Sequence, residues 1–200
     1  MSSSQVAICN LALSRFGSAL ITLITEATKE GRACNVLWGP VRDELIESYP
    51  WRFALKRVAL GTPLAAAPVN EFDYQYTLPA DCLRVWELYE SDVKSDSEWT
   101  IEGNVLLSNI EEDLYIRYIA SITDTSKYNS AFVKCLATAL AAELCPKLSD
   151  DRKLRLSLLQ ELEIDIAKAY KLNAIEGNPP KHKDEQGMDE GNFSWQTEGR

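Results

Sequence analysis

Histidine is nearly missing from this chain: the single one, His182, lies in a polar C-terminal stretch between Lys181 and Lys183. Without a second histidine in a buried setting, a Ser-His-Asp or Cys-His relay has no base. A zinc site of the usual His/Cys type fails on the same count. The five cysteines, Cys9, Cys34, Cys82, Cys135 and Cys145, form no C-x-x-C pair. An odd, scattered set, three of them inside apolar helical patterns, reads as reduced and buried in a protein made in a reducing cytosol. Neither G-x-x-x-x-G-K-[ST] nor G-x-G-x-x-G occurs, so the glycine-rich phosphate cradles are absent and no cofactor is expected. No run approaches the ~18 apolar residues of a membrane span. The start, MSSSQVAICNLALSRFG, lacks the basic segment and continuous apolar core of a secretory signal, so a soluble protein outside the usual export route is expected. Positive charge is in deficit as well, 21 Lys and Arg against 30 Asp and Glu, for a net charge of −9. That argues against wrapping a nucleic-acid backbone, though not against standing beside DNA without gripping it.

With 46% apolar and 26% charged residues over 200 positions, the chain can bury a real core. Serines cap a first helix carrying Val6, Ile8 or Cys9, Leu13 and Phe16, and Gly17 sits where a C-cap belongs. Thr28 signals a second start, with Val36, Leu37, Val41, Leu45 and Ile46 as its stripe; Pro40 is expected to kink or interrupt it and Pro50 to end it. Between Ala54 and Ile122 the period shortens to aromatic and β-branched runs separated by turn residues, and IEGNVLL carries a hairpin signal. Four or five antiparallel strands are expected there. Residues Ala131 to Cys145 are apolar nearly all round, a buried helix stopped by Pro146. Ser149 then reads as the N-cap of a long amphipathic helix, with Asp150 and Asp151 in its first turn and Leu154, Leu158, Leu162, Ile166 and Tyr170 along one face up to Gly177. The expectation is an α+β fold: an antiparallel helical bundle of N-terminal helices plus two long C-terminal ones (residues 1–53 and 123–176), an inserted antiparallel β-sheet region (54–122), and an extended polar tail (177–200).

Three groups of residues invite a chemical reading. In FDYQYTLPADCLRV, Asp81-Cys82 could be reactive, but Leu-Pro followed by Ala-Asp supplies a turn with a side-chain acceptor, and Cys82 has only Arg84, two residues on and on the same strand face, to activate it. A structural corner fits better. The carboxylates Glu111-Glu112-Asp113, Asp150-Asp151, Glu161, Glu163 and Asp165 could supply the two that a glycosidase needs, yet they read as helix-start residues and solvated positions. Tyr49, Trp51 and Phe53 mark either a partner hot spot or, more simply, a helix packing on a sheet. Phe193 and Trp195 are different: large aromatics in a charged terminal stretch have no local core to enter, which points to anchoring on a partner or folding back.

Taken in order, AICNLALSRFG, GRACNVLWGPVRDELIESYPWRFALKRVAL, YQYTLPADCLRVWEL and AFVKCLATALAAELCPKLS resemble the head-to-tail adaptor (tail tubular protein A) family of short-tailed bacteriophages, over roughly residues 5 to 170. PWRFALKRVAL and YTLPADCLRV are the most specific parts. The resemblance implies a structural virion protein and not an enzyme. It implies a ring of identical subunits, usually about twelve, built head-to-tail beneath the portal protein ring. That ring would pass the DNA ejection channel on to the tail nozzle protein, with DNA moving through unbound. Phe193 and Trp195 would then face the portal or a neighbouring subunit. The rival class is a carboxylate-dependent glycan hydrolase of a phage tail.

Overall fold

The computed structural model describes residues 4–66, 68–90, 93–111 and 114–175. Helix α1 (Gln5–Ser14) starts on Ser4, whose hydroxyl accepts from the Ala7 amide at 3.1 Å. It ends as the sequence suggests: Gly17 sits at φ +68°, Ser18 N–H reaches back to Leu13 O and Gly17 N–H to Ser14 O, the paired bonds of a left-handed helix stop. Helix α2 (Lys29–Glu47) starts on Thr28, which accepts from the Gly31 amide. Pro40 does not interrupt it. The carbonyl left without a donor belongs to Val36, and both residues are exposed, so water can take the place of the missing bond.

Strands β1 (Leu55–Ala59), β2 (Tyr74–Thr77), β3 (Cys82–Glu90), β4 (Val93–Lys94), β5 (Trp99–Glu102), β6 (Val105–Ser108) and β7 (Leu114–Ala120) follow, then a 3-10 turn (Thr125–Lys127), α3 (Ser130–Leu148) and α4 (Arg152–Ile175). All pairings are antiparallel, in two sheets ordered β1-β7-β3-β4 and β2-β6-β5. The expected Gly-Asn hairpin is β5–β6, turning at Gly103-Asn104.

The chain is therefore not the antiparallel helical bundle with two long C-terminal helices and an inserted sheet that its order of elements suggests. Among the described residues it is an α+β fold of four α-helices and two antiparallel sheets. The reason lies in β7. Ile116, Tyr118, Ile119 and Ala120 are all buried, and they join one core with α1, α2 and α3. The larger sheet is a wall of that core. The hairpin pairs with β2 and builds a sheet of its own, which a count of strand-like runs does not reveal.

Helix α3 is the centre. Asn129 caps it by accepting from Phe132 N–H at 2.8 Å, and twelve of its residues are buried, among them Ala137, Ala139, Ala141 and Ala142. These small side chains let α1, α2 and α4 all pack against it. Pro146 lies inside its last turn, and the helix stops at Leu148, where Ser149 N–H bonds Cys145 O. Ser149 thus closes α3 and does not open α4. The α4 cap is Asp151, whose carboxylate accepts from Lys153 and Leu154 N–H, since an acceptor one residue before the helix reaches the free amides of the first turn. Four of the five cysteines are buried and Cys82 is half-buried; all five are free thiols.

Asp165 corrects a second expectation. It is no solvated position but is 5% exposed, facing α3, where Lys134 Nζ donates to it at 2.7 Å. Breaking such a pair from one side strands a buried charge, which costs roughly 3–5 kcal/mol, whereas replacing both partners with apolar groups is close to neutral. Lys134 is half exposed, so water screens the pair and the cost falls to the bottom of that range or below it. Lys134→Met should lower stability by about 2–3 kcal/mol in urea unfolding, and Lys134→Met with Asp165→Leu should recover most of it. A single variant as stable as the parent would show that the pair holds nothing.

Candidate functional site

The Asp81-Cys82 corner is built from three strands. Asp81 sits just before β3, where its carboxylate takes Lys56 Nζ from β1 at 2.5 Å and the Tyr118 hydroxyl from β7 at 3.1 Å. Its carbonyl accepts from Ser121 N–H, and Cys82 N–H closes the turn on Pro79 O. The Lys56 hydrogen bond, helped by Tyr118, holds the Asp81 carboxyl below its ordinary range. Burial, with the Asp81 charge beside it, pushes the Cys82 thiol up to about 11. A nucleophilic cysteine needs the opposite shift, so the pair is a corner.

Arg84 does not act on Cys82 through strand alternation. The register runs from Cys82↔Ala120 to Arg84↔Ile119, so Leu83 is an extra residue in a bulge, and a bulge breaks the two-residue period. The Arg84 guanidinium lies 5.3 Å from the centre of the Trp86 ring, within cation–π range.

A second hub lies on the larger sheet. Glu87 accepts from Tyr89 (2.9 Å), Arg117 (3.1 Å) and Lys94 (3.2 Å). Arg57 and Arg117 are directly opposed across β1 and β7, and Glu87 faces Arg117 from β3. Two like charges face to face destabilise a strand pair, and the carboxylate on the far side offsets this. Burial pushes the Glu87 carboxyl upward, but the three hydrogen bonds outweigh it and leave it below its ordinary range. A third cluster joins helix to sheet: Arg42 forks onto Asp43, which also accepts from the Ser121 hydroxyl at 2.8 Å.

A groove of about 230 Å³ lies between α2, α3 and α4, with Glu44 and Glu143 at an otherwise mostly apolar wall that includes Leu45, Leu159 and Ile166. Glu143 is engaged by Arg155 at 3.0 Å. The carboxylates singled out in the sequence converge on no such groove: Asp151 caps α4, Glu161 pairs with Arg15 of α1 at 2.9 Å, and Asp165 pairs with Lys134. Glu112 and Asp113 lie outside the described residues. A general acid needs its affinity for the proton raised; the carboxyls displaced here, at Glu26, Asp81, Glu87 and Asp124, are displaced downward.

The aromatic cluster packs inward. Trp51 is fully buried and its indole N–H donates to Leu45 O; Phe132 and Tyr170 meet its ring edge-on, and Tyr49 stacks on Tyr170 with centroids 3.7 Å apart. Asn173 locks this junction by accepting Arg52 N–H and presenting its own carbonyl to Arg52 Nε. The sequence reading passes over Asn173 and Glu87 and places Asp165 in solvent. For two of them a signal exists: Leu158, Asp165, Ala169 and Asn173 share one buried face of α4, a polar residue twice on an apolar row.

His182, Phe193 and Trp195 lie outside the described residues. Among the described residues no group of three metal-ligating side chains converges, and no helix is long and apolar enough to cross a membrane. What the surface does present is apolar: Leu20, Leu23 and Val36 near the start of the fold, and Leu156, Ile164, Leu172 and Ile175 along α4. Comparison with protein-family models and with curated proteins finds no match to this chain.

The Glu87 hub carries a pH dependence whose sign is fixed. A carboxyl held low in the folded state stabilises fully above its unfolded value, near 4.3, and that contribution disappears as pH falls through the folded-state value. Glu87→Gln should lower stability by about 1.5 kcal/mol at pH 7, the scale of hydrogen bonds to a charged group. It should match the parent once both are below the folded-state value. Urea unfolding of the two proteins across pH 2 to 7 reads this directly; parallel curves would mean that Glu87 titrates alike folded and unfolded.

Proposed function

We propose that this chain is a structural subunit of a short-tailed phage virion, a head-to-tail adaptor that forms a ring between the portal protein and the tail nozzle. The supporting observation is how its polar and apolar groups are spent. The acidic and basic clusters at Asp43, Asp81, Glu87 and Asp165 are tied into junctions between elements, while large apolar side chains stay exposed. A surface of that kind serves neighbours better than a substrate. The resembling segments PWRFALKRVAL and YTLPADCLRV form the aromatic junction between helices and the Asp81 corner that joins three strands.

In this reading identical copies pack head-to-tail around the channel. The net charge of −9 keeps DNA from adhering as it passes. Residues 177–200, with Phe193 and Trp195, anchor on the portal or on the next copy. The Glu44–Glu143 groove is what a glycan hydrolase would use.

Purified portal particles decide between the two. Mixed with the full chain, they should gain a ring of copies seen as a discrete mass increment, and the chain truncated after Gly177 should bind at least tenfold more weakly. Binding undiminished by the truncation would remove the anchoring role. Repeated turnover of cell-wall or capsule glycan, lost in Glu44→Gln or Glu143→Gln, would replace the adaptor reading with the hydrolase.

A further inference from the structure

The segment between α1 and α2 is unusually well fastened for a loop that carries exposed leucines. Asn10 clamps Ile21 from both sides, its amide donating to Ile21 O and its carbonyl accepting from Ile21 N–H, both at 2.9 Å. One Glu26 oxygen accepts from Thr22 N–H, the Thr22 hydroxyl and Leu23 N–H; the other accepts from the Thr28 hydroxyl at 2.7 Å. Gly31 must remain glycine for this to close, because a Cβ there would sit 2.7 Å from Glu26 Cγ and 2.8 Å from its carbonyl oxygen. Ile21 is buried, and Leu20 and Leu23 on either side of it are each 62% exposed. The result is a hydrogen-bonded knob that carries two exposed leucines. A loop already ordered loses little entropy when something covers it.

The opposite kind of surface lies on α4. Ile164, Lys168, Leu172 and Ile175 follow one another at i+4, i+4 and i+3, so they form one ridge. All four are exposed, along the flank of the buried row Leu158, Asp165, Ala169 and Asn173. Charge separates the two surfaces. From Gly17 to Thr28 the only charged residue is Glu26, and Lys29 next to it is paired with Glu30. From Ile164 to Ile175 the charged residues are Asp165, which is buried and paired with Lys134, and the exposed Lys168 and Lys171.

We propose that the Leu20/Leu23 knob of one copy docks on the Ile164–Leu172–Ile175 ridge of the next, with Lys168 and Lys171 facing the Glu26 side of the loop. The occupant is a second copy of this chain. Among the described residues both patches are exposed, and their exposed charges differ in sign, Glu26 on the loop against Lys168 and Lys171 on the helix. A contact between two different patches is head-to-tail and propagates in one direction, closing into a ring where the rotation permits. The inference deepens the adaptor reading by naming the surface between its copies, and its test needs no portal.

The test places a photo-reactive benzoylphenylalanine at position 23 of the full chain and mixes it with isotopically labelled, unmodified chain. Irradiation is done at about 1 mM, a concentration that populates even a weak contact. Labelled peptides from residues 160–175 should be joined to position 23. Lys168→Glu with Lys171→Glu in the labelled chain should reduce that yield about tenfold, the equivalent of 1.4 kcal/mol, with the thermal unfolding midpoint unchanged because both sites are exposed. Leu172→Ser should act the same way. Links confined to one chain, links to residues 177–200, links from loop to loop, or no links between chains would each overturn the proposal. The two readings fail separately. Knob-to-ridge links in a protein never found in phage particles would sink the adaptor alone, and rings on portals without these links would sink the docking surface alone.

Discussion

The burial of α3 on all sides is the constraint that the rest of the fold obeys. A helix with twelve buried residues must be covered by several elements at once, and here α1, α2, α4 and the inner face of β7 share the task. Its alanines set how near the other helices come, and its one large aromatic, Phe132, sets where the chain crosses from helix to sheet. Trp51, Phe53 and Tyr128 all pack on Phe132 with centroids about 5 Å away. Each fully buried side chain of this size contributes roughly 1.5–3 kcal/mol, so the knot around Phe132 weighs heavily in a fold whose net stability is only about 5–15 kcal/mol.

Apolar burial does not say where each element should stop, and polar residues supply that. Asn10 fixes the loop after α1, Asn173 fixes the end of α4 against Arg52, Asp43 fixes α2 to Ser121, and Asp81 and Glu87 fix the two ends of β3. Every one of these groups is engaged at a junction. A catalytic acid or thiol is tuned by its surroundings toward the state its reaction needs, a raised carboxyl for proton donation or a lowered thiol for attack. Here the partners of Asp81 and Glu87 hold their carboxyls below the ordinary range, and burial pushes the Cys82 thiol up.

Much of the local structure was legible because it depends on one or two neighbours. Ser4 and Thr28 cap helices for reasons contained within three residues, Gly17 ends α1 by its backbone freedom, and Gly103-Asn104 turns a hairpin. What was not legible depends on who sits across the space. Pro40 is harmless only because Val36 happens to face water. Arg84 leaves its expected face because β7 cannot pair with Leu83, and no periodicity within β3 announces that bulge. The division of seven strands into two sheets is of the same kind, since β2 chooses β6 over the neighbours of β3. The site residues follow this pattern: Glu87 gains its meaning from Arg117, thirty residues away.

Exposed apolar side chains are ordinary on any protein, and Val69, at 93% exposure, asks for no explanation because nothing around it is built to hold it there. Leu20 and Leu23 differ in what surrounds them. Ordering a loop residue opposes folding by roughly 1–2 kcal/mol, and an exposed leucine returns none of that to the monomer. The return comes from Ile21 and from the hydrogen bonds of Asn10 and Glu26, and the Thr28 and Thr22 contacts hold the Glu26 carboxyl down near 2, charged through the whole range in which proteins function. The same bonds that fix the loop therefore also fix a negative charge beside its leucines. A loop merely needing to connect α1 with α2 could do so without either, whereas a loop that must meet an apolar ridge flanked by lysines needs both.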